Sequence, residues 1–399
     1  MLFEVMLTLI LGIFAGTITG LMPGLHINLV ALLLFSASGF LLDFTSASVL
    51  VCFIVAMTIT HTFLDFIPSI FLAAPSSETA LSVMPGHELL LQGEGYGACR
   101  LAVIGCFLGL IILLVSAPFL IAFLSHIYPW LHRYMAAILV TASLFLILCD
   151  KNKFMAAFLF LISGILGVAT LSLPLKQPLF PLLTGLFGTS MLFTSIKQKT
   201  ILPKQNISRV RISKKEICKI IPASFVSSSL CSFLPGLGAA QAAVIGSDIS
   251  GKISRRGFLV LLGAISTLVA GMNFVAIYAI SKPRSGVAVI AEKLLESLTL
   301  QQLWLFLVVA LVAGSVAFFL SLFFARIFAL KISSISYSKI STIILGLLVI
   351  LCIIFSGWLG LLVLITATTI GIIAIESGTR KMHLMGSIML PVILWFLPF

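Results

Sequence analysis

Two Pro-Gly-Leu tripeptides, Pro23-Gly24-Leu25 and Pro235-Gly236-Leu237, each follow an apolar run of helical length. Proline lacks an N–H and ends the preceding helix, and glycine takes backbone conformations that other residues resist. A helix broken at membrane depth presents N–H groups with a positive dipole end, and it frees carbonyls. Such a break can hold an anion and a cation without a buried charged side chain. His26 and Asn28 follow the first break, and Gly238 and Gln241 follow the second. Gly24, His26, Asn28, Gly236, Gly238 and Gln241 therefore open the set of candidate substrate-binding residues. The plainer reading, two packing kinks at tight helix crossings, stays open.

His61 and Asp65 lie four residues apart inside an apolar run, which puts them on one helix face. Ionisable residues in a span are costly and are usually functional. Here they would carry protons or bind a cation, unless they close a polar gap between helices. Asn273 stands 208 residues after Asp65. Further on, Pro75-Ser76-Ser77-Glu78 reads as a serine-rich helix start, which either caps a helix or receives an anion. Its counterpart is Lys282-Pro283-Arg284-Ser285, where the planar guanidinium of Arg284 suits a carboxylate or serves as a solvated loop charge. Ser76, Ser77, Arg284 and Ser285 complete the substrate-binding candidates. Asn28, His61, Asp65, Glu78 and Asn273 are the candidates for a coupling ion. No HExxH motif and no third ligand at metal spacing accompany His61, so no catalytic or metal-binding residue is assigned.

Composition sets the frame for these residues. Of 399 residues, 60% are hydrophobic and 9% are charged, and the mean hydropathy is +1.25. Soluble domains carry about 25% charged residues. A soluble enzyme, a disulfide scaffold and a disordered chain are excluded. The seven cysteines show no CxxC spacing and read as small buried hydrophobes. The net charge of +12 does not point to nucleic acid, because it comes with no basic-aromatic interleaving. The N-terminus has no basic region of the secretory type, so the first apolar run is expected to stay as a span.

Apolar runs fall near 1–22, 25–42, 47–73, 97–124, 131–149, 153–172 and 178–195, and then near 217–234, 238–249, 257–280, 302–325, 338–356, 358–375 and 385–399. The Pro-Gly-Leu motifs are 212 residues apart, and the Pro75 and Pro283 elements are 208 apart. Two motifs in the same order at nearly one offset indicate an internal duplication, an arrangement common in secondary transporters. The fold expected is an all-α polytopic membrane protein. Residues 1–196 form a first repeat, 197–216 a basic cytoplasmic linker and 217–399 a second repeat. Seven segments per repeat is odd, so the second repeat is inverted. Eight of the 24 basic residues lie between Lys197 and Lys219. With that stretch inside, eleven more basic residues also fall inside and five outside, as the positive-inside rule requires. Both termini are then outside. The short run 238–249 favours a re-entrant hairpin over a span, and the duplication extends this to 1–42.

In order along nearly the whole chain, these motifs resemble those of the tripartite tricarboxylate transporter permease family, large membrane subunit, archaeal-type branch. The residues that carry the resemblance are Pro23 to Asn28, Pro75 to Gly97 with Pro85-Gly86-His87-Glu88, Pro235 to Gly238, Lys282 to Gly286, and His383-Leu384-Met385-Gly386 with Pro391. The chain reads Ala73-Ala74-Pro75-Ser76 where the better-characterised family pattern has Asn-x-Pro-Gly. The resemblance implies import of a small organic anion, a carboxylate, across the cytoplasmic membrane with Na+ or H+, with no cofactor. It also implies an extracytoplasmic solute-binding protein and a small membrane subunit as partners. Membrane lipid surrounds such a chain, and a homodimer is compatible with it. The competing readings are a lipid-phosphate translocase and an intramembrane enzyme built on His61, Asp65 and His26.

Overall fold

The computed structural model describes residues 2–22, 27–74, 79–148, 150–197, 203–207, 210–233, 238–283, 285–295, 297–332 and 337–397. Among them there is no strand. The first half contains α1 (Leu2–Leu21), α2 (Ile27–Ser36), α3 (Ser38–Leu41), α4 (Ala47–Leu64), α5 (Phe66–Leu72) and α6 (Val83–Leu91). It continues with α7 (Gly95–Arg133), α8 (Met135–Leu148), α9 (Lys153–Ser172), α10 (Leu179–Leu183) and α11 (Ser190–Lys197). The second half contains α12 (Lys214–Phe233), α13 (Ala239–Ser250), α14 (Arg255–Ile280) and α15 (Gly286–Leu295). After these come α16 (Leu300–Ile332), α17 (Tyr337–Glu376) and α18 (Gly386–Phe396). Among the described residues, seven helices are long and apolar enough to cross a membrane. The chain is a multi-pass membrane protein.

Local signals start several of these helices. Asn152 accepts a hydrogen bond from the Met155 N–H (3.1 Å) at the head of α9, and Ser254 accepts one from Gly257 (3.1 Å) at the head of α14. Each satisfies one of the N–H groups that a helix start leaves without a partner. α2 has ten residues and α13 has twelve. At about 1.5 Å per residue they reach roughly 15 and 18 Å. That is well short of a hydrocarbon core about 30 Å thick.

α14 and the α4–α5 rod form the centre, with 94% and 83% of their apolar stretches buried, against 22% for α1. Lipid tails supply no hydrophobic drive between helices, so helix pairs associate through close packing of small residues. α7 meets α14 in this way. A Cβ on Gly105 would overlap the Val260 carbonyl, and one on Gly263 would overlap the Ala102 carbonyl. On α1, Gly12, Gly16 and Gly20 press against α4 at Ala56, Thr60 and Leu64.

The element order of the second half follows that of the first. α1, α2, α4–α5, α6 and α7 are followed in sequence as α12, α13, α14, α15 and α16 are. α17 breaks at Gly357 (φ 65°), where the first half has the turn between α8 and α9. Among the described residues, the non-glycine residues with positive φ are Ala73 and Ser281, both at 49° and 208 positions apart. Each caps the C-terminus of the helix that leads into a proline element. An L-residue in the left-handed region costs about 1–2 kcal/mol, so such a pair at one offset is a specific feature. At the 212 offset, the α1 glycines correspond to Ser224, Ser228 and Ser232 of α12, all of them buried.

Candidate functional site

Asp65 stands at the joint between α4 and α5 and is 5% exposed. Its Oδ2 accepts a hydrogen bond from the Thr79 hydroxyl at 3.0 Å. The Thr79 carbonyl in turn accepts from the Ser69 hydroxyl (3.2 Å) and the Ser82 hydroxyl (2.7 Å), and those two hydroxyls are 2.7 Å apart. A buried carboxylate, three hydroxyls and a carbonyl thus meet where the chain leaves and re-enters the Pro75 element. The 3-10 turn Ala80–Ser82 of this node packs against α13. The turn that follows the Pro75 element therefore lies beside α13, the helix that follows the second Pro-Gly-Leu motif.

The converse meeting also occurs. Asn28, at the start of α2, lies against the start of α15, where a Cβ on Gly286 would come 2.8 Å from the Asn28 carboxamide carbon. Ser285 accepts from the Ala288 N–H (3.2 Å) and so caps α15. The helix after each Pro-Gly-Leu motif is thus set against an element that follows the other half's proline: α2 against α15, and α13 against the turn Ala80–Ser82. The helix starts and hydroxyls of these two contacts, with the buried Asp65, are groups that suit a small anion together with a cation.

His61 turns elsewhere. Its Nδ1 is 3.2 Å from the Thr19 hydroxyl on α1. The structure thus gives His61 and Asp65 separate partners, and the tie to α1 makes His61 part of a helix contact. Asn273 is buried in α14. Gln241 is buried and accepts from the Gly238 N–H at 2.9 Å, which leaves its NH2 end to donate elsewhere. Gly24, His26, Ser76, Ser77, Glu78, Gly236 and Arg284 lie outside the described residues.

Several site residues escape sequence reading. Thr79, Ser69 and Ser82 carry no local signal, because hydroxyls are common at helix ends. The α12 serines have a visible i, i+4 spacing, and the hydroxyls of Ser228 and Ser232 are buried without a hydrogen bond. Thr62 and Thr267 join α4 to α14 at 3.2 Å. The stretch Pro85–Gly97 takes in most of α6 and the first residues of α7.

The rim beside this site carries ion pairs between the halves. Arg255 meets Glu88 at 2.7 Å, and Arg256 forks onto both oxygens of Glu94 at 2.9 and 2.7 Å. Linker residue Gln205 docks on the same turn, accepting from the Gly95 N–H (2.9 Å) and donating to the Leu90 carbonyl (3.1 Å). Exposed pairs of this kind contribute little stability individually. Here they place the basic linker and the head of α14 on one side of the molecule.

Among the described residues there is no group of three or more His, Cys, Asp or Glu side chains that could hold a metal ion. Residues 6–386 match the tripartite tricarboxylate transporter TctA family. An uncharacterised protein of Methanocaldococcus jannaschii is 31% identical over 405 residues, covering 98% of this chain and 99% of its own. No solved structure matches the chain. On a match of that extent, the chain belongs to the tripartite tricarboxylate transporter TctA family and is the membrane subunit of a transporter.

Proposed function

We propose that the protein moves a small organic anion, a carboxylate, across the cytoplasmic membrane, driven by Na+ or H+. The observation that carries this reading is the crossed packing of α2 against α15 and of α13 against the turn Ala80–Ser82, whose neighbour Thr79 holds the buried Asp65. The anion rests on helix starts and hydroxyls, with Asn28, Gln241, Ser285 and the serines of the Pro75 element as contacts. Asp65 and the freed carbonyls hold the coupling ion. A family named for a tripartite transporter supports an extracytoplasmic solute-binding protein and a small membrane subunit as partners. We read the two halves as inverted repeats, on the odd segment number and on the paired left-handed caps at Ala73 and Ser281. Alternating access then moves one group of helices against the other around the fixed site.

Two measurements test this. Purified protein in liposomes is expected to accumulate radiolabelled succinate or citrate under an inward Na+ or H+ gradient. Asn28→Ala should cut uptake at least about 10-fold, since a hydrogen bond to a charged group contributes roughly 1.5–3 kcal/mol. Undiminished uptake by the variant removes the site, and no uptake of any carboxylate by the parent protein removes the function. The orientation is tested by single cysteines placed at 203–207, which should be labelled only after the membrane is permeabilised. Labelling in intact cells reverses the topology.

A further inference from the structure

Among the described residues one lysine is buried, and its ammonium has no hydrogen bond or ion pair. Lys381 is 4% exposed and opens the 3-10 turn Lys381–Met385 that leads into α18. This turn packs against α9, α13 and α17. The acids around it do not serve Lys381. Asp150 Oδ2 is held by His383 Nε2 at 2.9 Å and lies 3.9 Å from Arg380. Asp248 on α13 interacts with Arg380, and its Oδ2 has no hydrogen bond. His87 of α6, 2% exposed, lies within electrostatic reach of Lys381. Burial, and then the Lys381 charge, push its imidazole down from 6.5 to about 4. His87 is therefore neutral at pH 7.

Burial pushes the Lys381 amine down from 10.5 to about 7, and an anion placed beside it would restore the charged form, because a buried cation is stable only when it is paired. We propose that Lys381, with His87 beside it, is an anion station that receives one carboxylate group. It lies on the side of the molecule that carries Arg255 and Arg256, between α6 of the first half and α13 of the second. The charge argument itself calls for one singly charged group. A lysine is a point charge with no fork, and a phosphate dianion would be left half neutralised beside a neutral imidazole. The choice of a carboxylate from the transported solute rests on the transport reading above. On that reading Lys381 is a second stop on the path, beyond the crossed helix contacts.

The test is thermal unfolding of the purified full chain titrated with sodium succinate, with phosphate and chloride as parallel arms. A ligand of the native state raises the midpoint with its concentration. The parent protein should respond to succinate above either other anion. Lys381→Met fills the same space without the charge and should weaken the apparent affinity about 10-fold or more, while Lys381→Arg keeps part of it. An equal response in Lys381→Met overturns the station, as does the absence of any succinate response in the parent protein. An equal response to phosphate overturns the carboxylate assignment. If Lys381→Met does not fold, hydrogen exchange on the parent protein decides. Succinate should protect residues 79–92 and 380–386, and protection confined to other segments sinks the proposal. The two readings separate cleanly. Uptake in liposomes that Lys381→Met leaves unchanged keeps the transporter and removes the station. Succinate binding that needs Lys381, without any uptake, does the reverse.

Discussion

Gly263→Leu is expected to yield no monodisperse folded protein. Gly263 faces α7 with no space for a side chain. A Cβ there overlaps the Ala102 carbonyl and sits 2.9 Å from the Cys106 nitrogen. Both are backbone atoms of a helix, so neither can rotate away. The facing positions on α7 are equally tight, since Gly105 and Gly109 press on Val260 and Ala264. α14 is the most buried long helix, and its separation from α7 would propagate to every neighbour. Overpacking of a well-filled core costs typically 1–3 kcal/mol, and more where nothing can yield. In lipid no hydrophobic term offsets the lost contacts. We expect about 3 kcal/mol or more. Size-exclusion profiles and thermal unfolding in detergent decide the matter, and a parent-like peak with an unchanged midpoint would falsify the packing account.

Asp65→Asn should leave the fold intact and abolish concentrative uptake. The carboxamide keeps an oxygen for the Thr79 hydroxyl, which now bonds Oδ2 at 3.0 Å. What it loses is the charge. The second half already carries Asn273 at the matching position, so the variant makes the halves alike. An ion gradient can shift a two-state carrier only through a group that binds the ion differently in the two states. With that group neutral, substrate exchange between the two sides can persist while accumulation stops. Steady-state accumulation should fall to equilibrium, with counterflow retained. Accumulation at the parent level in Asp65→Asn liposomes would move coupling to another residue.

The helices themselves were legible in the sequence. Apolar runs set most of their positions, and the boundary expected between 356 and 358 is the break at Gly357, whereas α7 continues past the run's end at 124 to Arg133, and α6 and α15 had no apolar run of their own. Long runs of apolar residues have only one stable form in hydrocarbon, where each backbone group must be satisfied within its own segment. The ends of α1 and α12, just before the two Pro-Gly-Leu motifs, were legible for a related reason, since proline cannot continue a helix. Asp65 was legible as an isolated acid in an apolar run. Its role apart from His61 was not. Spacing of i, i+4 put both on one face, but α1 supplies Thr19 to one and the Pro75 element supplies Thr79 to the other.

Much of what is local about this protein was therefore determined by the order of its residues: an all-helical membrane chain whose helices α1 and α12 stop just before prolines. Only the tertiary structure decided what meets what. It set α2 against α15, it set α13 against the turn after the Pro75 element, and it buried Lys381 near His87, almost 300 residues away in the chain. The reason is physical. Periodicity and turn chemistry act over a few residues, whereas a contact across the core depends on which helices can approach closely. That is settled by small residues such as Gly105 and Gly263, which carry no charge or hydrogen-bonding side chain to announce their partners.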